Sequence, residues 1–258
     1  MKAMIFAAGL GTRLRPLTDT LPKALVPVCG EPLLSHTVRK LREAGYDDLV
    51  VNVHHFPEQI KAYVAAHDFG VRIRISDESD RLLETGGALV HARELLLPAD
   101  APFLVHNVDI VSDLDLSWFR AQTRPDALAT LLVSERETRR YLLFGEDMRL
   151  KGWTDTATGE VRSPYPDLKA EDCRRYAFSG IHNLHPRIFG AFGALAMPER
   201  FPIMDFYLRA CAQYPVYGVL APRLTIVDVG KTETLAQAER VCANILGPRH
   251  RPASGGGR

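Results

Sequence analysis

The chain has almost no net charge and few cysteines: across 258 residues, 32 Lys and Arg stand against 31 Asp and Glu, with four Cys. Such balance excludes bulk electrostatic attraction to nucleic acid or a membrane surface, so any anion site must be local. Cys29, Cys173, Cys211 and Cys242 are scattered, with no Cys-x-x-Cys pair. That argues against a disulfide framework or a zinc site and for small core residues in a reducing compartment. No apolar run approaches ~18 residues, and the short one at the N-terminus soon meets Arg13 and Arg15. A soluble, cytoplasmic protein is expected. Two glycine motifs are also missing. Leu14 stands where a dinucleotide fingerprint needs its third glycine, and no Gly-Lys-Ser/Thr follows the N-terminal turn, as a P-loop needs. There is no internal repeat.

What is present is concentrated in Met1 to Gly30, MKAMIFAAGLGTRLRPLTDTLPKALVPVCG. Ala3 to Ala8 is too short for a core helix and stops at a glycine-rich turn, the pattern of a buried first strand. The turn Gly9-Leu10-Gly11-Thr12-Arg13-Leu14-Arg15 combines glycines, a hydroxyl and guanidinium groups. Glycine lets backbone approach a ligand, successive amides form an anion-binding concavity, and arginine adds planar recognition of phosphate. Lys23 supplies a further cation in a loop that Pro16, Pro22 and Pro27 are expected to keep extended. The stretch reads as a polyphosphate cradle; the plainer alternative is a strand, turn and helix with a solvated basic face.

With 46% hydrophobic residues the chain can bury one large core. Pro32 to Ala44 has the spacing of an amphipathic helix ended by Gly45, and Asp48 to Val53 that of a buried strand. A helix over Pro57 to Ala66, a strand over Val71 to Ser76, a helix over Thr85 to Leu97 and a strand over Ala101 to Asn107 follow. This alternation predicts an α/β protein with a parallel, doubly wound sheet. From Asp126 the texture is β-rich: a strand in ALATLLVSE, then two short strands between Tyr141 and Arg162 with Asp155 and Gly159 at turns. Residues 126 to 185 read as an insertion able to cover a substrate. Helices are expected at Pro186 to Leu195, Pro202 to Gln213 and Thr232 to Leu246, and strands at Val216 to Leu220 and Leu224 to Val229. The tail Gly247 to Arg258 should be disordered.

The N-terminal stretch resembles the signature of the sugar-1-phosphate nucleotidyltransferases. It carries Ala7-Ala8-Gly9-Leu10-Gly11-Thr12-Arg13-Leu14-Arg15-Pro16-Leu17-Thr18 and then Pro22-Lys23-Ala24-Leu25-Val26-Pro27-Val28. The resemblance implies a Rossmann-like, mixed but mostly parallel sheet of the GT-A-like nucleotide-diphospho-sugar transferase fold, with a small β-rich lobe on the sugar side. Residues 1–246 would form one domain, 1–125 the nucleotide-binding half and 126–246 the sugar-binding half with the second metal ligand. The chain lacks the C-terminal hexapeptide β-helix of some longer relatives, so no acyltransferase activity is implied.

Asp109 lies just past an apolar strand, where open α/β sheets place ligands. Asn107-Val108-Asp109 resembles the family's Asn-Gly-Asp, which implies a magnesium ligand at Asp109 and sugar-phosphate contact at Asn107. Asp228, in Ile226-Val227-Asp228-Val229-Gly230, resembles the family's second metal carboxylate. Each alone would be an ordinary strand-end acid. Magnesium suits such a pair because it is hard and takes one or two carboxylates plus phosphate oxygens. Glu84-Thr85-Gly86-Gly87 at a helix start could lay backbone against a nucleobase, or could be a helix N-cap. The Glu-Thr-Gly-Gly form is similar to that of N-acetylmuramic acid 1-phosphate uridylyltransferases. Phe178-Ser179-Gly180-Ile181 resembles the segment that lies along the sugar. The Glu-Lys-Pro motif that grips the sugar phosphate in many relatives has no counterpart; Lys151 or Arg140 would take that role.

The reaction implied is attack of a sugar-1-phosphate oxygen on the α-phosphorus of a nucleoside triphosphate, releasing pyrophosphate. No covalent intermediate or general base is needed, so alignment and charge neutralisation carry the rate. Ala8, Gly9, Gly11, Thr12 and Arg13 would cradle the phosphates, Lys23 would face the α-phosphate, and Glu84, Gly86 and Gly87 the base. Asn107 and Arg140 would meet the sugar phosphate, and Ser179 and Gly180 the sugar. UTP with N-acetylmuramic acid 1-phosphate is favoured, acting in a monomer or homodimer with no nucleic-acid or membrane partner. The alternatives are a mannose-1-phosphate guanylyltransferase, a phosphocholine cytidylyltransferase, a nucleotide-sugar-dependent glycosyltransferase or a nucleotide-sensing regulatory subunit. The glycosyltransferase would not need the Gly-x-Gly-Thr-Arg stretch, and sensing subunits usually lose the basic and acidic residues kept here.

Overall fold

The computed structural model describes residues 1–97 and 101–246. The expected disordered tail lies outside them. Lys2–Phe6 forms strand β1, apolar on both faces and so stable only at the middle of a covered sheet. Ala3 and Ile5 point into one core, Met4 and Phe6 into the other. A hairpin of β2 (Pro27–Val28) and β3 (Glu31–Pro32) leads to α1 (Leu33–Glu43), whose Leu33, Leu34, Val38 and Leu41 are buried at helical spacing. β4 (Asp48–Val53), α2 (Pro57–Ala66), β5 (Arg72–Asp77), α3 (Glu84–His91), α4 (Arg93–Leu96) and β6 (Phe103–Asn107) follow. β1 pairs in parallel with both β4 and β6, and β4 with β5.

After β7 (Ile110–Ser112), α5 (Leu116–Ala121) and β8 (Ala129–Ser134) come β9 (Arg140–Phe144), β10 (Leu150–Asp155), β11 (Glu160–Arg162) and the long β12 (Arg174–Leu184). The chain then forms α6 (Ile188–Ala194), α7 (Ile203–Ala210), β13 (Val216–Leu220), β14 (Ile226–Asp228) and α8 (Thr232–Leu246). One ten-stranded sheet runs in the order β11-β10-β9-β12-β6-β1-β4-β5, with β8 on β12 and β13 on β8. The sheet is mixed: β12 runs antiparallel to β6, β8 and β9.

Three expectations are corrected. The proline loop is not extended; it folds into three 3-10 turns, Thr12–Leu14, Leu17–Asp19 and Lys23–Leu25. The helix expected over Thr85 to Leu97 breaks at Ala92 into α3 and α4. Two strands expected between Tyr141 and Arg162 are three. Beyond any expectation, the eleven-residue β12 closes this region; its first residues, Arg174 and Arg175, sit on the exposed outer part of the sheet. Cys211 and Cys242 are buried, Cys29 and Cys173 half-buried.

Gly86 and Gly87 serve packing. Their amide N–H groups donate to the Phe201 carbonyl at 2.8 and 3.3 Å, and a Cβ on Gly86 would lie 2.1 Å from the Phe201 ring. That ring is edge-on to Phe192, which is edge-on to Phe206, so it has little room to retreat. Gly86→Ala is therefore expected to cost about 1–3 kcal/mol by overpacking, a fall in Tm of several degrees. An unchanged Tm by differential scanning calorimetry would refute this.

Candidate active site

The parallel strands β1 and β6 end on the same side of the sheet, and the chain after each carries polar groups over that end. β14 brings a third segment there: Asp228 lies opposite Ile110 in the β14–β7 ladder, and Val229 N–H donates to the Asp109 carbonyl at 2.8 Å. Two aspartates far apart in the chain thus share one corner. Lys23, buried in its 3-10 turn, donates from Nζ to Asp109 Oδ2; the two side chains are 11% and 17% exposed. Arg13 completes the corner. A Cβ on Gly230 would come within 2.7 Å of Asp228 Oδ1 and 3.0 Å of Arg13 Nη2, so only a glycine there lets carboxylate and guanidinium crowd together.

Asp228 is electrostatically strained. Burial raises its carboxyl pKa, the charge of Asp109 raises it further, and Lys23, Arg13 and Arg136 pull it partly back. Its Oδ1 is buried with no hydrogen-bond partner among the described residues. An unpaired, desolvated carboxylate oxygen beside a second carboxylate fits a hard divalent cation. No group of three His, Cys, Asp or Glu suited to a metal occurs among the described residues. The protein would therefore supply Asp109 and Asp228, and other oxygens would complete the sphere.

Two cavities flank this corner. The smaller, about 210 Å³, is lined by Phe6 to Gly9, Lys23, Asn52, Glu78, Leu82, Glu84, Thr85 and Asn107 to Asp109. Its wall is tied by hydrogen bonds: Ala7 N–H donates to Asn52 Oδ1 at 2.8 Å, and Asn52 Nδ2 donates to Glu78 Oε1 at 2.8 Å. Burial raises the Glu78 carboxyl pKa, and the Asn52 bond opposes the rise. The larger cleft, about 980 Å³, holds Arg13, Arg136, Arg139, Arg140 and Arg162 beside Leu142, Trp153, Phe178 and Met204, with Asp228 and Lys231 at its edge.

Arg13, Lys23, Asp109 and Asp228 thus converge, and Ala8, Gly9, Glu84 and Asn107 line the small cavity, Arg140 the large one. Gly11 adopts φ 65° and its carbonyl accepts from Thr18 Oγ1 at 2.8 Å, folding the turn onto itself, with Thr12 exposed at its start. Three assigned segments lie outside the linings of these two cavities. Gly86 and Gly87 do not line the small cavity, because Phe201 occupies their amides; the neighbouring Glu84 and Thr85 face it instead. Ser179 is buried, donating to Ser134 Oγ at 3.2 Å, and Gly180 packs on Asn107 and Ile110 at a bulge in β12; neither lines the large cleft. Lys151 rests 4.8 Å from the Tyr165 ring centroid, outside the cleft.

Sequence reading missed Asn52, Glu78, Arg136 and Arg139. The signal for Asn52 was a lone amide within the apolar strand DLVVNV, and for the arginines the basic run Glu135-Arg136-Glu137-Thr138-Arg139-Arg140. Glu78 gave none, as one acid among Asp77, Ser79 and Asp80.

A mixed sheet whose parallel strands β1 and β6 end beside an aspartate pair, a lysine and an arginine between two cavities defines an α/β domain with a charged cleft suited to phosphate groups. The chain belongs to the nucleotidyl transferase family, whose model matches residues 2–145. It is 35% identical over 247 residues to the N-acetylmuramate alpha-1-phosphate uridylyltransferase of Caulobacter vibrioides, covering 92% of this chain and 95% of that one. It is 41% identical over 115 residues to a mannose-1-phosphate guanyltransferase of Hypocrea jecorina, 44% of this chain but 31% of that one. A UDP-glucose pyrophosphorylase from Acinetobacter baumanii shares the fold with a TM-score of 0.76 at 17% identity, over 97% of this chain and 95% of that one. No helix among the described residues is long and apolar enough to cross a membrane.

Proposed function

We propose that the chain transfers a nucleotidyl group from a nucleoside triphosphate to a sugar 1-phosphate, with UTP and N-acetylmuramate 1-phosphate as the favoured pair. The observation that carries this is the convergence of Arg13, Lys23, Asp109 and Asp228 between two cavities, one small, one large. The uridylyltransferase relative, matched along almost its whole length, supports the choice of substrates. The base would occupy the small cavity against Glu84 and Thr85, near the Asn52 and Glu78 pair. The turn from Ala8 to Arg13 would hold the β- and γ-phosphates, and the sugar would lie in the large cleft with Arg140.

In the reaction a phosphate oxygen of the sugar 1-phosphate forms a bond to the α-phosphorus as the bond to the bridging oxygen of the β-phosphate breaks. Arg13 neutralises the departing pyrophosphate, and Lys23 the α-phosphate. The nucleophile is already an anion, so no residue need remove a proton. A magnesium ion held by Asp109 and Asp228 would supply charge neutralisation between the two substrates. Arg136, whose charge reaches Asp228, is suited to the sugar phosphate. The phosphocholine alternative is disfavoured, because the aromatic residues of the large cleft are ringed by arginines, which repel a quaternary ammonium.

The test is pyrophosphate release with magnesium over the four nucleoside triphosphates crossed with N-acetylmuramate, N-acetylglucosamine, glucose and mannose 1-phosphates. The expected maximum is UTP with N-acetylmuramate 1-phosphate. A maximum at GTP with mannose 1-phosphate would replace the substrates and keep the reaction. Release with no pair would overturn the reading in favour of a sensing subunit.

A further inference from the structure

The arginines of the large cleft fall into separate groups. Arg13 and Arg136 act on Asp228 and so belong to the phosphate end. Arg162 is paired with Asp205 at 2.8 Å. Arg139 and Arg140 share a different anchor, Asp155, whose side chain is only 5% exposed. Asp155 Oδ1 accepts from Ala157 N–H at 3.0 Å, and its Oδ2 lies 3.2 Å from Arg139 Nε and 3.6 Å from Arg140 Nε. Both arginines, with side chains 59% and 62% exposed, line the cleft. Two fixed cations against one buried carboxylate leave a local surplus of positive charge.

The β9–β10 register places this surplus. Arg140 pairs with Asp155 and Leu142 with Trp153, and residues two apart on a strand share a face. The ladder therefore presents an apolar pair directly beside the ion pair. A ligand lying on it would set a ring face or short alkyl group on Leu142 and Trp153 and end in an anion at the arginines.

We propose that Arg139 and Arg140, anchored by Asp155, form a second anion site that reads a carboxylate carried on the sugar itself, apart from its 1-phosphate. Arg140 is thereby a specificity residue for an acid sugar, and Asp155 a positioning residue. The proposal rests on the sugar-phosphate reading above. N-acetylmuramate and N-acetylglucosamine 1-phosphates are suitable probes, since they differ only by a carboxyethyl ether.

The experiment measures kcat and KM for both sugars with UTP and magnesium, in the wild type and in Arg140→Gln and Asp155→Asn. Charge-assisted hydrogen bonds to a carboxylate typically contribute about tenfold or more in affinity. The wild type should favour the carboxylate sugar by at least that factor in kcat/KM. Each variant should shrink that ratio about tenfold, chiefly through KM for the carboxylate sugar. A wild type indifferent to the carboxylate, or variants that slow both sugars equally, would overturn the second site while leaving nucleotidyl transfer intact. Wild-type silence on both sugars would instead count against the reaction. Quenching of Trp153 fluorescence by the two sugar phosphates would then decide the anion site alone: a tenfold tighter titration with the carboxylate sugar sustains it, and equal titrations reject it.

Discussion

Lys23→Ala and Asp109→Ala should each lower pyrophosphate release by ~10²-fold or more, the usual loss when one charge contact to the transition state is removed. Both side chains are nearly buried and bonded to each other, so neither can be replaced from solvent. Circular dichroism should show the folded sheet retained in both. More than a tenth of wild-type turnover in either variant would remove that residue from the chemistry. Asp228→Asn should separate activity from stability. Turnover falls as the second carboxylate is lost, while Tm holds or rises, because the buried anion opposed by Asp109 is replaced by a neutral group of the same shape. A large fall in Tm would show that the Asp228 charge is stabilised by something other than its visible neighbours.

Acid should destabilise the protein well above the carboxylate range. His106 and His182 lie on the paired strands β6 and β12, fully buried, and the Nε2 of each has no partner among the described residues. Burial pushes His106 down to about 4 and His182 down to about 3. The unfolded chain takes up these protons near pH 6.5. Below that pH the unfolded state binds more protons than the folded one, so stability is complete above pH 6.5 and falls as pH drops. At ~1.4 kcal/mol per pH unit, each histidine removes roughly 2 kcal/mol between pH 6.5 and 5. His36, lowered chiefly by burial, acts in the same sense; Asp228 and Glu78, raised by burial, oppose it. The urea midpoint should therefore fall steeply from pH 7 to 5, and His182→Gln should reduce the slope whatever its absolute stability. A flat midpoint over that range would contradict the neutral, buried histidines.

Local patterning made much of this legible. The hydrophobic spacing of α1, the all-apolar runs of β1 and β4 and the Gly45 stop are consequences of period and backbone freedom, which act within a few residues. The 3-10 turns between Thr12 and Leu25 were not, because Thr18 bonding back to Gly11 and Lys23 reaching Asp109 decide them, and neither contact shows in residue order. Gly86 and Gly87 show a different limit of residue order. A glycine pair signals a close approach without saying what approaches, and here it is the Phe201 segment.

The sequence by itself determined the strand-turn chemistry of the first thirty residues, the parallel half of the sheet and the candidate acids at two strand ends. Those features follow from the local properties of single segments. Only the tertiary structure decided that Asp228 meets Asp109, that Asn52 and Glu78 brace the small cavity, and that Asp155 fixes two arginines over an apolar pair. Each of these depends on how segments pack and pair in three dimensions, where register, not composition, sets which side chains share a face.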